Sequence, residues 1–384
     1  MAQNLAQVLF WSAFGLLVYL HFGYPVMLWL LGRVRRRPIS RRDFTPTVDF
    51  LIGAYNEEAV LGDKLENCLG LDYPPDKLQI IVASDASTDG TNNIARKYER
   101  SGVRLVVAPL RRGKAANFRE VVPTLTGEIL LFSDAGSLYR PDTLRKMMRN
   151  FGDPEVGCVG GKVRYVNPSA TSVSQGEGLY WSYEAFLRKA ESDIGSTVVL
   201  SGAVYAIRRE LYRPVADHLP DDFMNPLNVL DQGRRVIFET DTEILEKAAT
   251  SVRSEMETKI RIVARNFSAL RSMKRLLHPR RHPLLSLQLL SHRLLRWFVL
   301  QVALLMFGAN ALLVSHPFYG ALFLGQILFY LLAGIGCLLD LSGRHSRVAT
   351  VPFYFVLVNL SAALAIWRHL TGQRVGGVWE PVER

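Results

Sequence analysis

Carboxylates punctuate this chain at short intervals, and each cluster follows an apolar run. Tyr55-Asn56-Glu57-Glu58 comes after Val48–Ala54, Asp85-Ala86-Ser87-Thr88-Asp89-Gly90 after Leu78–Ala83, and Asp134-Ala135-Gly136-Ser137 after Glu128–Phe132. A fourth acidic group, Asp221-Asp222, stands behind Pro220. Ionised carboxylates accept hydrogen bonds from N–H and O–H donors, and can take a proton from an attacking hydroxyl. Lys114, in Arg112-Gly113-Lys114, offers an ammonium to phosphate charge. Plainer uses compete. Asp89 suits a helix cap in a Ser-Thr-Asp-Gly turn, and Asp221 and Asp222 could cap the helix expected through Leu227–Gln232.

The runs that carry these residues alternate with helical stretches. Strands are expected over Val48–Ala54, Leu78–Ala83, Val103–Val107 and Glu128–Phe132, with helices between them through Leu69, Arg100 and Leu125. Short β-branched runs separated by helices imply an α/β fold with a mostly parallel sheet covered on both faces. Ligands of such sheets bind beyond the carboxyl ends of the strands, where the polar clusters fall. The turn after the first strand reads Ala54-Tyr55-Asn56-Glu57-Glu58 and lacks the G-x-G-x-x-G of a nicotinamide enzyme. Arg112-Gly113-Lys114 also lacks the earlier glycine and following Ser or Thr of a P-loop.

The 384 residues are 49% hydrophobic, and the apolar surplus lies at the two ends. Val8–Leu31 holds no Lys, Arg, Asp or Glu and is long enough to cross a hydrocarbon core of ~30 Å. Leu294–Val314, Phe318–Leu339 and Val348–Trp367 are three further candidate spans. The net charge of +11 is concentrated in two acid-free stretches, Arg33–Arg42 and Arg271–Arg296, both beside apolar runs. Such clusters suit the anionic cytoplasmic leaflet, and no nucleic-acid recognition motif accompanies them. The arginines after the first span put residues beyond Arg33 in the cytoplasm. Three C-terminal spans would then carry Arg368, Arg374 and Arg384 outside, so either the tail is external or one segment is re-entrant. Cys68, Cys158 and Cys337 have no metal-ligand spacing and fit reduced thiols.

Taken in order, Ala54–Glu58, Ser84–Thr91 and Arg112–Asn117 resemble the markers of the family 2 glycosyltransferases with a GT-A fold. The likeness is strongest to the membrane-bound branch of cellulose, chitin and poly-N-acetylglucosamine synthases, and it covers roughly Thr45 to Leu270. It implies a nucleotide-sugar-binding domain over residues 45–265, flanked by an N-terminal anchor (1–33), an amphipathic interface segment (266–293), membrane helices (294–367) and a tail (368–384). By that resemblance Ala54, Tyr55, Glu57 and Asp85 line the nucleobase and ribose pocket, and Lys114 lies near the donor. Asp134 takes the place of the first acid of a D-x-D motif and would bind Mg²⁺ or Mn²⁺, although Gly136 replaces the second acid. Asp222 aligns with the general base, with Asp221 beside it on the acceptor side. The Q-x-x-R-W of processive members is absent; in its place Glu255–Arg261 offers Lys259 or Arg261 to the departing diphosphate. Trp181 could stack on an acceptor sugar or simply pack the domain, and the tail tryptophan Trp379 is equally open.

The implied activity is inverting transfer from a nucleotide-diphosphate-sugar, UDP favoured, to a glycan or lipid-linked acceptor at the cytoplasmic face of the inner membrane. The implied partners are the donor, the acceptor and the lipid bilayer, and not nucleic acid. The competing expectation is a catalytically weak scaffold or regulatory subunit that keeps the fold.

Overall fold

The computed structural model of the chain describes residues 1–166, 172–247, 251–344 and 346–373. Of the expected tail, Arg374, Trp379 and Arg384 lie outside the described residues.

The first helix, α1 (Gln3–Val34), is long and apolar enough to cross a membrane. It carries a π-turn at Tyr19–Gly23 just before Pro25, whose missing N–H breaks the regular ladder there. An eight-stranded sheet follows, built in the order β3-β2-β1-β4-β7-β6-β8-β5. Its strands are β1 (Val48–Ala54), β2 (Leu78–Ser84), β3 (Arg104–Val107), β4 (Ile129–Asp134), β5 (Leu138–Tyr139), β6 (Val156–Val166), β7 (Val204–Arg208) and β8 (Arg235–Lys247). The pairs β1–β2, β1–β4, β2–β3 and β6–β8 are parallel; β4–β7, β6–β7 and β5–β8 are antiparallel. The sheet is thus mixed and mostly parallel.

Every residue of β1 is buried, because helices cover both faces of the sheet. Successive side chains point to opposite faces, so Phe50 and Ile52 join one core with α2 (Glu58–Leu69), while Leu51 joins the other with α4 (Lys114–Val121). Helices α3 (Thr91–Lys97) and α5 (Thr143–Met148) complete the first layer. Beyond β6 a long helix, α6 (Ser172–Ile194), runs back, and α7 (Asp221–Asp231) leads into β8.

The C-terminal part holds α8 (Val252–Ser272), α9 (Pro283–Ala311), α10 (Pro317–Leu341) and α11 (Arg347–Leu370). The stretch read as one interface segment divides between α8 and α9. Pro283 starts α9 at its first turn, so the helix begins before Leu294 and takes in Arg293 and Arg296. α9, α10 and α11 are each long and apolar enough to span a bilayer. They differ in burial: 11% of the most apolar stretch of α10 is buried, against 61% of that of α11. Ala362 and Ile366 of α11 join a core with Leu227, Ala269, Leu270 and Trp297, which ties the helix to α7, α8 and α9. Each leucine fully buried in this seam contributes roughly 1.5–3 kcal/mol.

Candidate active site

Two loops at the carboxyl ends of β1 and β2 lock onto each other. Asn56 and Ala86 both adopt positive φ, +52° and +56°, a strained conformation for residues with a Cβ that tends to be stored at functional sites. The Asn56 N–H donates to Ser87 Oγ at 3.2 Å and Asn56 Oδ1 accepts from the Thr88 N–H at 2.9 Å. Asp89 accepts from the N–H groups of Thr91 and Glu58 at 3.0 and 3.1 Å, so it caps two helices, as its turn position led us to expect.

Asp85 is buried in this framework. Its oxygens accept from the N–H groups of Arg112 and Gly113 at 3.0 and 2.7 Å. Gly113 has φ +97°, a conformation suited to glycine, and it turns the chain into α4 with Lys114 as first residue. Asp85 therefore positions the lysine turn, in addition to the donor contact the resemblance implies for it. The Arg111 guanidinium lies 3.7 Å from the centre of the Tyr55 ring. Ala54 ends β1 and accepts from the Asp85 N–H, while buried Glu57 precedes α2 and its N–H donates to Thr91 Oγ1.

Lys114 is the hub of the next layer. Its Nζ donates to Asp134 Oδ1 at 2.6 Å and lies 4.0 Å from Asp221 Oδ2. Burial alone would lower the Lys114 pKa, but Asp134, Asp221 and Asp222 outweigh it and raise the value above the ordinary lysine range. Asp221 accepts from Tyr205 Oη at 2.7 Å, and that oxygen in turn accepts from Asn225 Nδ2 at 2.9 Å. Asp222 is half-buried beside Gly202, where an added Cβ would come within 3.1 Å of its Oδ2, so glycine leaves the carboxylate room. Burial, reinforced by the charges of Asp221 and Asp134, pushes Asp222 up to about 6, against the opposing pull of Lys114 and Arg265. That value suits a base working near neutrality.

One cavity of about 640 Å³ gathers Lys114, Asp134, Trp181, Asp221, Asp222, Lys259 and Arg261. Ala54, Tyr55, Glu57 and Asp85 lie at the neighbouring strand ends and are not among its lining residues. Lys259 pairs with buried Glu255 at 3.3 Å, and Glu255 accepts from Tyr354 Oη at 2.7 Å, joining α8 to α11. Trp181 stacks on Tyr165 with ring centres 5.1 Å apart, with Lys259 above it at 5.2 Å. The far wall of the cavity comes from apolar helices: Phe22 of α1, Val299 of α9, and Val351, Phe355 and Val358 of α11.

Two features escaped sequence reasoning. Lys64 is fully buried below the Asp134 loop and donates to Ser133 Oγ at 2.8 Å and the Ser137 carbonyl at 2.6 Å. The signal was a lysine at a core-facing position of α2, one turn from Leu61 and Cys68. The other is a buried polar cluster between α6 and the membrane helices. Glu191 accepts from Tyr24 Oη and Thr197 Oγ1, His292 faces Glu191 and Glu184 at 2.8 and 3.2 Å, and Arg296 pairs with Glu184. Burial opposes ionisation of Glu184, yet Arg296 and His292 hold it well below the usual carboxylate range. Only the acids of α6 at helical spacing hinted at this cluster.

Among the described residues, no three His, Cys, Asp or Glu side chains are grouped as a metal cage. Asp134 has one oxygen on Lys114 and a second that no hydrogen bond among the described residues engages. A Mg²⁺-type site needs only one or two carboxylates when phosphate oxygens and water complete the shell, so the residues present fit such an ion.

Comparison with known proteins bears on the family likeness and the fold. Residues 49–215 match the family model described as Glycosyl transferase family 2. The chain is 27% identical over 169 residues to a beta-monoglucosyldiacylglycerol synthase of Nostoc sp., covering 43% of this chain and 36% of that one. It is 24% identical over 209 residues to a poly-beta-1,6-N-acetyl-D-glucosamine synthase of Staphylococcus epidermidis, covering 50% of each. The chain thus spans a third to a half of the length of these curated relatives. Among solved structures, the mannosyltransferase PcManGT from Pyrobaculum calidifontis, determined with GDP-Man and Mn²⁺, superposes with a TM-score of 0.72 at 23% identity, over 97% of this chain and 100% of that one. At that identity the likeness establishes the fold, which is GT-A.

Proposed function

We propose that this chain, whose residues 49–215 match the family 2 glycosyltransferase model, transfers a sugar from a nucleoside-diphosphate-sugar, UDP-linked in the favoured version, to an acceptor that reaches the site from the membrane. The observation that carries this reading is one cavity lined both by Asp134 and Asp222 and by side chains of α1, α9 and α11.

In this reading the nucleotide lies over Ala54, Tyr55, Glu57 and Asp85, and the diphosphate meets Lys114 with Lys259 or Arg261. Asp222, ionised, takes the proton of the acceptor hydroxyl as its oxygen attacks the anomeric carbon in line. A new C–O bond forms, the bond to the diphosphate breaks, and the nucleoside diphosphate leaves with the electron pair, inverting the centre. A divalent cation on Asp134, Mg²⁺ or Mn²⁺, would neutralise charge on that leaving group. Asp221, fixed by Tyr205, and Trp181 flank the acceptor path.

The arginine clusters support a multi-pass inner-membrane protein with its catalytic domain in the cytoplasm. The heavy burial of α11 supports three crossings, by α1, α9 and α10, with α11 lying along α8 at the cytoplasmic face. This arrangement also puts Arg368 on the positive side.

The test is release of nucleoside diphosphate by purified protein across a panel of UDP- and GDP-sugars with Mg²⁺ or Mn²⁺. Release from one donor, abolished by EDTA and by Asp222→Asn, is expected. EDTA-resistant release would remove the metal from Asp134. Absence of both release and donor binding would favour a scaffold, the reading that Gly136 in place of a second acid supports.

A further inference from the structure

Besides Lys259 and Arg261, offered above to the donor diphosphate, the cavity is lined by Arg188, Arg265, Arg293 and Arg296. Lys259 is matched by Glu255 and Arg296 by Glu184. Three of the others are incompletely matched. The Nε atoms of Arg188, Arg265 and Arg293 are all buried without a hydrogen-bond partner among the described residues. Arg188 is only 3% exposed. Its contact to Glu184 is 3.8 Å, and that carboxylate already serves Arg296 and His292. Arg265 spends one nitrogen on the Leu219 carbonyl, and Arg293 forms no side-chain hydrogen bond or ion pair among the described residues. Among the described residues, Glu184 is the acid that acts on Arg188, Arg293 and Arg296 together. Buried guanidinium donors without a protein partner suit an anion with several acceptor oxygens.

Two neighbours narrow down which anion. Arg265 is close enough to Asp222 to act on its charge, so the basin adjoins the base. The same cavity is lined by Phe22 of α1 and by Val351 and Phe355 of α11, apolar side chains of the kind that acyl chains pack against. Lys114, which serves the donor diphosphate in the reading above, lines it too. We infer that the basin is a phosphate subsite of the acceptor. The acceptor is an amphiphile whose phosphate sits on Arg188, Arg265 and Arg293, whose hydroxyl reaches Asp222, and whose chains lie against α1 and α11. This rests on the transferase reading above and deepens it: the acceptor is an anionic phospholipid-type molecule, not an uncharged diacylglycerol or a free glycan.

The experiment titrates the full-length protein, in phosphate-free maltoside micelles, with phosphatidylglycerol and with diacylglycerol of the same acyl chains, reading bound lipid by native mass spectrometry. Phosphatidylglycerol should bind at least about tenfold more tightly, as expected for charge-assisted hydrogen bonds to guanidinium groups. Arg265→Gln and Arg293→Gln should each erase most of that preference and leave diacylglycerol affinity where it was. Equal affinity for the two lipids in the unaltered protein would overturn the assignment, as would a preference that survives both substitutions. Inorganic phosphate that displaces phosphatidylglycerol at matching concentrations would also sink it, since the site would then take free phosphate. The transferase reading is judged separately by nucleoside diphosphate release, so a lipid preference without release would fault that reading and keep the basin.

Discussion

The two ends of the cavity are built on opposite plans. At the sheet end, the acids that carry the proposed chemistry are held in place. Asp85 is clasped by two backbone N–H groups, Asp134 by Lys114, and Asp221 by Tyr205, so donor-side charges are fixed before any ligand arrives. At the membrane-helix end, among the described residues, Arg188, Arg265 and Arg293 keep buried Nε atoms without hydrogen-bond partners. The difference teaches that rigidity and vacancy serve different steps. Pre-set dipoles and charges suit transition-state stabilisation, whereas unfilled donors suit capture of a ligand that supplies the missing oxygens.

The contrast can be broken most directly at Asp222. Asp222→Asn should cut turnover by about two orders of magnitude or more, with donor KM nearly unchanged, as expected for loss of a general base. With the carboxylate pushed up to about 6, turnover of the unaltered enzyme should rise with pH through that region and level off above it, because only the ionised form accepts the proton. A flat profile from pH 5 to 8 would remove Asp222 from the mechanism. Next in size is a lesion between the ends. Glu184→Ala strips Arg296 and His292 of a buried partner and should cost about 3–5 kcal/mol of stability, read as a lowered melting temperature in detergent. An unchanged melting temperature would mean the cluster is solvated.

Lys114→Met tests the sheet end without touching the base itself. Turnover should fall by about tenfold to a hundredfold, and the pH midpoint should move above 6, because the cation that steadies the ionised Asp222 is gone. A midpoint that stays or falls would separate Lys114 from Asp222. Tyr205→Phe should have the smallest catalytic effect, a loss of about 1 kcal/mol or a fewfold in turnover, because it removes one neutral donor from Asp221. A loss as large as that of Asp222→Asn would make Asp221 the acid that matters. The contrast between α10 and α11 has its own test. A cysteine placed at Arg368 should be labelled by an impermeant thiol reagent only after the cytoplasmic face is opened; labelling of intact cells would show that α11 crosses.

Much of the sheet end was legible from residue order alone. The strands β1, β2 and β4, the polar clusters at their ends and the cap at Asp89 follow from short apolar, β-branched runs and from turn chemistry, which act over a few neighbours. The GT-A resemblance rests on the same short segments. What stayed hidden was every pairing across long stretches of chain: Lys64 beneath the Asp134 loop, Arg111 on Tyr55, and Tyr24 with Glu191 and His292. A buried lysine and an exposed one look alike in a helical pattern, and α10 and α11 look alike in hydropathy although one is largely exposed and the other largely covered. Sequence by itself determined the first four strands, the apolar spans and the acids at strand ends, because local apolar runs and turn residues encode them. Only the tertiary structure decided which charges meet, that Asp85 holds the lysine turn, and that the arginines of α6, α8 and α9 share one cavity with Asp222. Those relations depend on helices far apart in the chain packing side by side, and no short-range pattern records them.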